Sequence, residues 1–231
     1  MVKATNDGGD NPEISLYTAP TPNGRKVSIA LEEMALPYDV ITLSFAKHEQ
    51  KSPSFLKISP NGRIPAIVDR RDGEHAVFES GAILIYLAER SGQFLARDTK
   101  QRSETLQWLM YQMSAVGPMF GQTFSFMNMA KENPEAQKRF FAESERICEV
   151  LDRRLAQTEF VAGDYSIADI ALYPWLKVAP AIGLQTSQFA HIDRWMASIG
   201  QRPAVARGLN VPKSYSEEER QRNLAASITT E

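Results

Sequence analysis

Two short segments of the sequence combine polar residues with the expected start of a helix or strand, as a small-ligand site requires. In the first, Glu79-Ser80-Gly81 follows a short apolar run and precedes a helical pattern, so we expect Ser80 to be the N-cap of a helix. The first turn of a helix leaves backbone N–H groups unpaired at the positive end of the helix dipole. Such a turn binds carboxylates and phosphates, although a serine there also has an ordinary role as a cap.

In the second segment, Arg63-Ile64-Pro65-Ala66, a proline enters a predicted strand directly after the loop Ile58–Gly62. Proline cannot donate a hydrogen bond to a neighbouring strand, so it is confined to an edge or to the first residue of a strand. If the Ile64–Pro65 peptide bond is cis, the backbone of Ile64 can face a ligand instead of a partner strand. Only roughly 5% of X–Pro bonds in folded proteins are cis, so the sequence alone leaves this open.

Several familiar catalytic motifs are missing from the sequence. His48, His75 and His191 are scattered without the spacing of metal ligands, and we expect no metal. The chain has no P-loop lysine motif, no G-x-S-x-G elbow and no C-x-x-C pair. The single cysteine, Cys148, lies within a helical apolar pattern, which is typical of a core position rather than of a low-pKa nucleophile.

A mixed α/β unit is expected to position both segments. The alternating and β-branched runs are typical of strands, Asp72-Gly73 is typical of a hairpin turn, and Pro37 ends the first helix. The order through residue 90 is β-α-β-(α)-β-β-α. The predicted strands are Glu13–Thr18, Tyr38–Leu43, Ile64–Asp69 and Ala76–Phe78, and the predicted helices are Arg25–Ala35 and Ala82–Arg90.

Beyond residue 98 the sequence predicts helices and no convincing strand. Ser166-Ile-Ala-Asp169 matches a helix capping box, with Asp in place of the usual Glu or Gln. The composition changes at residues 91–98, which we interpret as a domain boundary. The predicted organisation is a loose tail at 1–12, a mixed unit at 13–92, an all-helical unit at 99–211 and a second tail at 212–231. The predicted helices include Thr99–Met113, Pro134–Gln157, the run Ile170–Trp175 and Phe189–Ile199.

Composition and charge exclude several classes of protein. Of 231 residues, 43% are hydrophobic and 23% are charged, which argues against a disordered chain, a fibrous repeat or a disulfide scaffold. The formal net charge of −2 lacks the basic excess of a nucleic-acid-binding protein. No apolar run approaches the ~20 residues that span a bilayer. With a single cysteine, the expected compartment is the reducing cytoplasm, without nucleic-acid or membrane partners.

These features together resemble the glutathione transferase superfamily, whose fold is a thioredoxin-like N-terminal domain followed by an α-helical C-terminal domain. The resemblance covers about residues 13–205, and the Ser166–Asp169 box is similar to the folding motif of that helical domain. Four segments are similar to the bacterial nu class, which acts mainly as glutathione-dependent disulfide-bond oxidoreductases. They are Ala19–Gly24, Ile58–Gly62, Phe78–Ile83 and Gly117–Gln122.

The resemblance implies roles for residues around the glutathione sulfur. Thr21 and Asn23 match the positions where the nu class places a threonine hydroxyl and an asparagine amide near that sulfur. Hydrogen-bond donors and a helix N-terminus both favour a thiolate, which agrees with this role. Ile64 resembles the residue whose backbone pairs with the cysteinyl unit, and Pro65 resembles the family's cis-proline.

The resemblance also implies contacts with the two ends of glutathione. Glu79 is expected to take the amino group of the γ-glutamyl end, and Ser80 with its N–H to take the α-carboxylate. Gln50 resembles a residue near the glycyl end. Arg139 resembles an arginine that reaches the site from the helical domain, of the same or a partner subunit, although a solvated position on a helix face is an alternative.

The sequence departs from the nu-class pattern in two places. Tyr17 lies close to where several transferase classes place a catalytic tyrosine, but with Thr21 matching we expect it in the core or at an edge. After Gln122 the chain has Phe124 and Phe126 where the nu class tends to show polar or His residues. We therefore expect an apolar second-substrate pocket that includes Phe120 and Phe124, with a core position for these rings as the alternative.

The resemblance implies a homodimeric enzyme that uses glutathione as co-substrate and acts on a small-molecule disulfide or electrophile. The mixed unit contains no cysteine, so bound glutathione would have to supply the attacking thiol. One alternative is conventional conjugation of glutathione to an electrophile. Another is a non-catalytic binding or regulatory protein, against which the intact Thr21, Asn23, Glu79 and Ser80 argue.

Overall fold

The chain divides into two compact units, Met1–Ser91 with Pro203–Glu231, and Gly92–Arg202. Within the stretches described by the computed structural model, no helix is both long and apolar enough to cross a membrane. These stretches are residues 3–5, 12–129, 132–219 and 222–223.

The described part of the first unit contains a five-stranded sheet and several α-helices. Two short 3-10 turns, Phe45–Lys47 and Glu49–Lys51, lie between the third strand and the second helix. The strands are β1 (Lys3–Thr5), β2 (Ile14–Thr18), β3 (Tyr38–Thr42), β4 (Ala66–Asp69) and β5 (His75–Phe78), and the helices are α1 (Pro22–Glu33), α2 (Pro53–Leu56), α3 (Ser80–Ser91) and α9 (Pro203–Gly208).

The sheet has the order β1-β3-β2-β4-β5, and β2 is its central strand. Strand β2 runs parallel to β3 and antiparallel to β4, while β4 runs antiparallel to β5. Leu16 on β2 is opposite Val40 and Ile67, and all three side chains are buried. The predicted order of elements along the chain from β2 to α3 and the thioredoxin-like fold that the resemblance implies are both confirmed.

The second unit is helical throughout its described elements. The helix predicted from Thr99 continues beyond Met113, through a π-helical turn at Gln112–Val116 and on to Asn128. Pro118 lies directly after this π-helical turn, at the second residue of the continuation. The helices are α4 (Thr99–Tyr111), α5 (Gly117–Asn128), α6 (Pro134–Leu155), α7 (Ile167–Lys177) and α8 (Ala190–Gly200), with 3-10 turns at Ala179–Ile182 and Thr186–Gln188.

The capping box predicted at the start of α7 is present. Ser166 Oγ accepts a hydrogen bond from Ala168 N, and Asp169 Oδ2 accepts one from Ser166 N at 3.0 Å. The other oxygen of Asp169 accepts hydrogen bonds from Val161 N at 3.1 Å and from Trp195 Nε1 at 2.9 Å. Burial of this carboxyl raises the pKa of Asp169 to about 6, although all of these hydrogen bonds favour the ionised form. The box therefore ties α7 to the loop before it and to α8.

The prediction that residues 1–12 form a loose tail is partly wrong. Lys3–Thr5 forms β1 and pairs antiparallel with β3, with Lys3 opposite Ile41. The open edge of β3 supplies the hydrogen-bonding partners, so turn-rich flanking residues did not prevent strand formation. Residues 1–2 and 6–11 of the predicted tail lie outside the described residues.

Residues 203–211 were predicted to belong to the helical unit, but the structure groups them with the first unit. Helix α9 packs on α1 at Gly208, where a Cβ would lie 2.5 Å from Ile29 Cα. Ser28 Oγ donates a hydrogen bond of 2.7 Å to Gly208 O, and Arg207 pairs with Glu32 at 2.6 Å. The close approach of the two backbones at Gly208 determines this grouping.

The described part of the predicted C-terminal tail also contacts the first unit. Arg25 Nη1 donates a hydrogen bond of 2.7 Å to Pro212 O, and Ala46 N donates one of 3.1 Å to Asn223 Oδ1. The polar composition of this segment predicts a solvated tail. Its residues form hydrogen bonds to the folded unit instead. Residues 220–221 and 224–231 lie outside the described residues.

A cluster of ion pairs joins the strands of the first unit to α3. Asp69 on β4 is 1% exposed, accepts a 2.8 Å hydrogen bond from Tyr86 and pairs with Arg90. Arg90 also pairs with Glu13, which pairs with Arg71 at 2.7 Å. Because Asp69 is buried, its charge depends on these partners for compensation.

We expect Arg90→Met to lower the free energy of unfolding by roughly 3 kcal/mol, since it leaves a buried carboxylate without its cation. Arg71→Met is the matched control, because the Arg71 side chain is 71% exposed and its ion pair should contribute at most about 1 kcal/mol. Urea denaturation monitored by circular dichroism measures both variants. Equal losses for the two variants would contradict a stabilising role for the Asp69 pair.

Candidate functional site

The register of the three neighbouring strands β2, β4 and β5 brings distant parts of the chain to one end of the sheet. Tyr17 on β2 is opposite Ala66 on β4, and Ala66 is opposite Phe78 on β5. Because these neighbours are antiparallel, the residues that follow β2, precede β4 and follow β5 all leave the sheet at the same end. Thr21, Pro65 and Glu79, predicted as site residues, therefore come from segments that meet there.

Thr21 begins helix α1 as its N-cap. It has extended backbone angles, and its Oγ1 accepts a hydrogen bond of 3.2 Å from Gly24 N. A hydroxyl that accepts in this way still has its hydrogen to donate to a ligand. Asn23 is half-buried in the same first turn, which contains no acidic residue to offset the positive end of the helix dipole.

Gly24 keeps this turn close to the end of β2. A Cβ at this position would collide with Ala19 O and Thr18 Oγ1, so a larger residue would displace the turn. Gly24 N is also the donor to Thr21 Oγ1. The Ala19–Gly24 segment is thus held by local contacts that depend on glycine.

Helix α3 begins at Ser80, two residues before the predicted start at Ala82. Ser80 was expected to be the N-cap, but it is the first helical residue, and Glu79 O accepts the hydrogen bond from Ile83 N at 2.9 Å. Glu79 has a left-handed backbone with φ of 70°, which turns the chain into the helix at that point. A non-glycine residue costs roughly 1–3 kcal/mol in such a conformation, and this kind of strain is concentrated at functional sites.

The side chains of Glu79 and Ser80 differ in exposure. Glu79 is exposed, whereas Ser80 is 3% exposed and accepts a hydrogen bond of 3.2 Å from Lys26 Nζ. Sequence reasoning did not identify Lys26 on α1. The available signal was a charged residue one turn before Ile29 and Ala30, two apolar residues on the same face of the helix.

The Ile64–Pro65 peptide bond is cis, and β4 begins at the next residue. Ile64 is half-buried against the cluster that contains Leu43 and Phe55. Ser59 Oγ donates a hydrogen bond of 2.9 Å to Arg63 O, which fastens the preceding loop to this segment.

Gln50 is 7% exposed in the 3-10 turn Glu49–Lys51. Its Oε1 is buried and has no hydrogen-bond partner within the described residues. Buried oxygens of this kind normally accept a hydrogen bond, so Gln50 is an acceptor suited to an N–H group of a ligand. Gly62, with φ of 61°, lets the neighbouring loop approach the Gln50 backbone.

Tyr17, expected in the core or at an edge, is half-buried and packs against the cluster that contains Phe55. Its ring centroid lies 5.8 Å from that of Phe55, and burial raises the pKa of Tyr17 above its usual value of 10. The phenol therefore remains protonated near neutral pH and is a poor candidate for activating a thiol.

The helical unit contains the remaining predicted residues. Phe120 is 1% exposed, which supports its core alternative and not a pocket lining, while Phe124 is half-buried. Phe126 stacks on Phe140 with ring centroids 5.2 Å apart. Arg139 is exposed on α6, and its role in the site stays a prediction.

Cys148 is fully buried in the helical unit, and burial raises the pKa of its thiol to about 12. It is therefore a protonated core residue and not a nucleophile. In the part of the chain that the structure describes, no three His, Cys, Asp or Glu side chains are grouped to hold a metal ion.

Comparison with known proteins identifies both units. Residues 12–89 match the family model of the glutathione S-transferase N-terminal domain, and residues 110–203 match that of the C-terminal domain. The disulfide-bond oxidoreductase YfcG of Escherichia coli strain K12 is 43% identical over 202 residues, which cover 85% of this chain and 94% of that protein.

Two solved structures are similar over most of both chains. A glutathione transferase family member from Pseudomonas fluorescens, with two glutathione bound, is 45% identical with a TM-score of 0.80 and covers 87% of this chain and 94% of its own. A glutathione transferase from Pseudomonas putida, with one glutathione disulfide per subunit, is 44% identical with a TM-score of 0.81 and covers 89% and 94%. The thioredoxin-like sheet, the helical unit and these likenesses together establish that the chain belongs to the glutathione transferase family.

Proposed function

We propose that the protein is a glutathione-dependent disulfide-bond oxidoreductase in which bound glutathione supplies the attacking thiol. The observation that carries the proposal is the nature of the residues at the end of the sheet. They offer a threonine hydroxyl and a helix N-terminus to a sulfur, while the only cysteine of the chain is buried with a thiol pKa of about 12. The similarity to a named disulfide-bond oxidoreductase supports the same reaction.

In the proposed complex, the γ-glutamyl α-carboxylate binds Ser80 and the first backbone N–H groups of α3, and Glu79 binds the amino group. A helix N-terminus favours the carboxylate, and the exposed carboxylate of Glu79 favours the ammonium. The backbone of Ile64, next to Pro65, pairs with the cysteinyl unit. Gln50 accepts a hydrogen bond near the glycyl end.

Thr21 and Asn23 act on the sulfur. The oxygen of Thr21 accepts from Gly24 N, so its hydrogen is directed to another acceptor, for which we propose the glutathione thiolate. The unopposed dipole of α1 lowers the thiol pKa in the same way. Thiol–disulfide exchange proceeds best with a thiol whose pKa lies near ambient pH, so modest activation is sufficient.

The reaction uses two glutathione molecules for each disulfide. The first thiolate attacks one sulfur of the substrate disulfide, its S–S bond breaks, and the other sulfur leaves as a thiolate that takes a proton from solvent. A second glutathione thiolate attacks the mixed disulfide and releases the second thiol together with glutathione disulfide. The related structures that hold two glutathione molecules or one glutathione disulfide support this stoichiometry.

We also propose that the enzyme is a cytoplasmic homodimer. Phe78 on the edge strand β5 is 39% exposed, and Met110 on α4 is 48% exposed. The reducing cytoplasm supplies the thiol form of glutathione that the reaction consumes. Sedimentation equilibrium measures the oligomeric state directly.

The proposed function predicts that the wild-type protein reduces a small hydroxyalkyl disulfide with a higher kcat/KM than it shows for conjugating glutathione to a chlorinated nitroaromatic. We expect Thr21→Val to lower disulfide turnover about ten- to a hundredfold while the glutathione Kd changes little, because a hydrogen bond to the charged sulfur is lost.

Thr21→Ser, which keeps the hydroxyl and the cap, should retain most of the activity, and Cys148→Ala should keep the wild-type rate. A better rate with the nitroaromatic would identify a conventional transferase. Loss of turnover in folded Cys148→Ala would show that the protein uses its own thiol.

We expect Glu79→Ala to weaken glutathione binding about ten- to a hundredfold, because a charge-assisted hydrogen bond to the ligand amino group is removed. Glu74→Ala is the matched control, since Glu74 is also exposed and also has a positive φ, of 60°, but lies at the opposite end of β5. Isothermal titration calorimetry compares the two variants. Unchanged affinity in folded Glu79→Ala would remove Glu79 from the site.

A further inference from the structure

After α9 the chain continues along the first unit as a segment that contacts the loop containing Gln50. We call its described residues, 212–219 and 222–223, the C-terminal strap, and we call residues 43–51 the Gln50 loop. Both belong to the same compact unit. Most side chains of the strap are exposed, but Asn223 is only 8% exposed. A buried amide side chain normally has hydrogen-bond partners, so the contacts of Asn223 indicate what holds the strap in place.

The strap ends in a helical turn whose start is encoded by four adjacent residues. Residues 217–219 and 222–223 are helical, and Ser216 Oγ accepts a hydrogen bond of 3.3 Å from Glu219 N. Glu219 Oε2 in turn accepts one of 2.9 Å from Ser216 N, which completes a capping box. Four residues further on, Asn223 Nδ2 donates a hydrogen bond of 2.7 Å to Glu219 O. These bonds orient Asn223 from within the strap.

Two hydrogen bonds connect the strap to the Gln50 loop. Ala46 N donates one of 3.1 Å to Asn223 Oδ1, and Tyr215 Oη donates one of 3.4 Å to Leu43 O. Burial raises the pKa of Tyr215 to about 12, so its hydroxyl keeps the proton that it donates. The strap therefore holds both the start and the middle of the loop.

Inside the loop, Ser44 and Glu49 join the two 3-10 turns to each other. Ser44 N donates a hydrogen bond of 2.8 Å to Glu49 Oε2, and Glu49 N donates one of 3.2 Å to Ser44 O. His48, with φ of 52°, is the left-handed residue between the two turns. Because 3-10 turns have poorer hydrogen-bond geometry than an α-helix, the loop gains stability from outside contacts such as those of the strap. A displacement at Ala46 is therefore passed through Ser44 and Glu49 to the adjacent Gln50.

The side chain at the end of this series of contacts is suited to one donor of glutathione. Gln50 is 7% exposed, and its Oε1 is a buried acceptor with no partner among the residues that the structure describes. Glutathione has one N–H beside its glycyl carboxylate, in the amide that joins cysteine to glycine. Hydrogen bonds weaken steeply as distance and angle depart from their optimum, so the position of Oε1 decides how well that N–H is bound.

We propose that the C-terminal strap determines specificity for the glycyl end of glutathione, because it holds Gln50 where Oε1 accepts a hydrogen bond from the glycyl N–H. The inference rests on the proposed function, which assigns Gln50 to that end of the ligand. Asn223 is a positioning residue that acts through the backbone of Ala46. The match to the family model of the C-terminal domain ends at residue 203, before the strap begins.

The test compares glutathione with γ-glutamyl-cysteinyl-glycolic acid, in which an ester oxygen replaces the glycyl N–H and the carboxylate is kept. Isothermal titration calorimetry measures both ligands on the full-length protein. The wild type should bind glutathione about tenfold more tightly than the ester, which has no hydrogen for Oε1 to accept. Asn223→Ala should weaken glutathione binding about three- to tenfold and change the affinity for the ester less than about twofold.

Asn210→Ala is the matched control. Asn210 Nδ2 donates a hydrogen bond of 2.9 Å to Ala206 O, four residues earlier, just as Asn223 donates to Glu219 O. Asn210 is exposed and precedes the strap. Its alanine variant loses the same kind of local bond without loosening the Gln50 loop, so it should keep the wild-type preference for glutathione over the ester.

A double variant separates positioning from a merely structural role. In Gln50→Ala the acceptor is gone, so the addition of Asn223→Ala should reduce glutathione affinity little further. If Asn223→Ala does not fold, Tyr215→Phe tests the same strap, because it removes only the hydroxyl that donates to Leu43 O. It should also reduce the preference for glutathione over the ester.

The results distinguish this inference from the proposed function. Absence of glutathione binding to the wild type would overturn both. Glutathione binding without disulfide reduction would contradict the proposed reaction, while the preference for glutathione over the ester would still decide the role of the strap. Equal wild-type affinity for the two ligands, or equal losses for both in folded Asn223→Ala, would overturn the role of the strap alone.

Discussion

The strand register at the centre of the first unit is the constraint on which the candidate site depends. Tyr17, Ala66 and Phe78 lie in one row across β2, β4 and β5, so the three segments that leave the row meet at one end of the sheet. A slip of one residue in β4 would turn each of its side chains to the opposite face of the sheet, and Pro65 would no longer lie beside the turn that begins at Thr21. Burial of Ile67 and Leu16 on the same sheet resists such a slip.

Helix α1 presents polar side chains at the end of the sheet that this register defines. It starts at Thr21, contains Asn23 in its first turn, and places Lys26 under the start of α3. Its opposite side is fastened by residues about 180 positions away, through the hydrogen bond of Ser28 to Gly208 and that of Arg25 to Pro212. The position of the turn in the candidate site therefore depends on the sheet on one side and on the hydrogen bonds to residues 208 and 212 on the other.

Much of the fold could be predicted because its causes are local. Alternating apolar residues at Glu13–Thr18 and the Ser166–Asp169 capping box each determine an element from a few adjacent residues. The shift of the α3 start to Ser80 could not be predicted, because the left-handed conformation of Glu79 has no signature in that residue type.

Contacts between segments that lie far apart in the chain could not be predicted from the sequence either. The grouping of α9 with α1 depends on Gly208 facing Ile29, and the core position of Phe120 depends on the packing of the helical unit. The donation from Lys26 to Ser80 joins residues 54 positions apart. Side-chain type and spacing identified candidates for the site, whereas their partners depended on tertiary structure.

The packing of α9 on α1 also has a consequence for synthesis of the chain. The thioredoxin-like unit is discontinuous, since its residues before 92 are completed by Pro203–Gly208 only after the whole helical unit has been translated. While the ribosome is still making residues 92–202, the surface of α1 around Ser28 and Ile29 lacks the backbone that covers it in the finished protein. The unit that is encoded first therefore gains its full set of contacts only after Gly208 has been made.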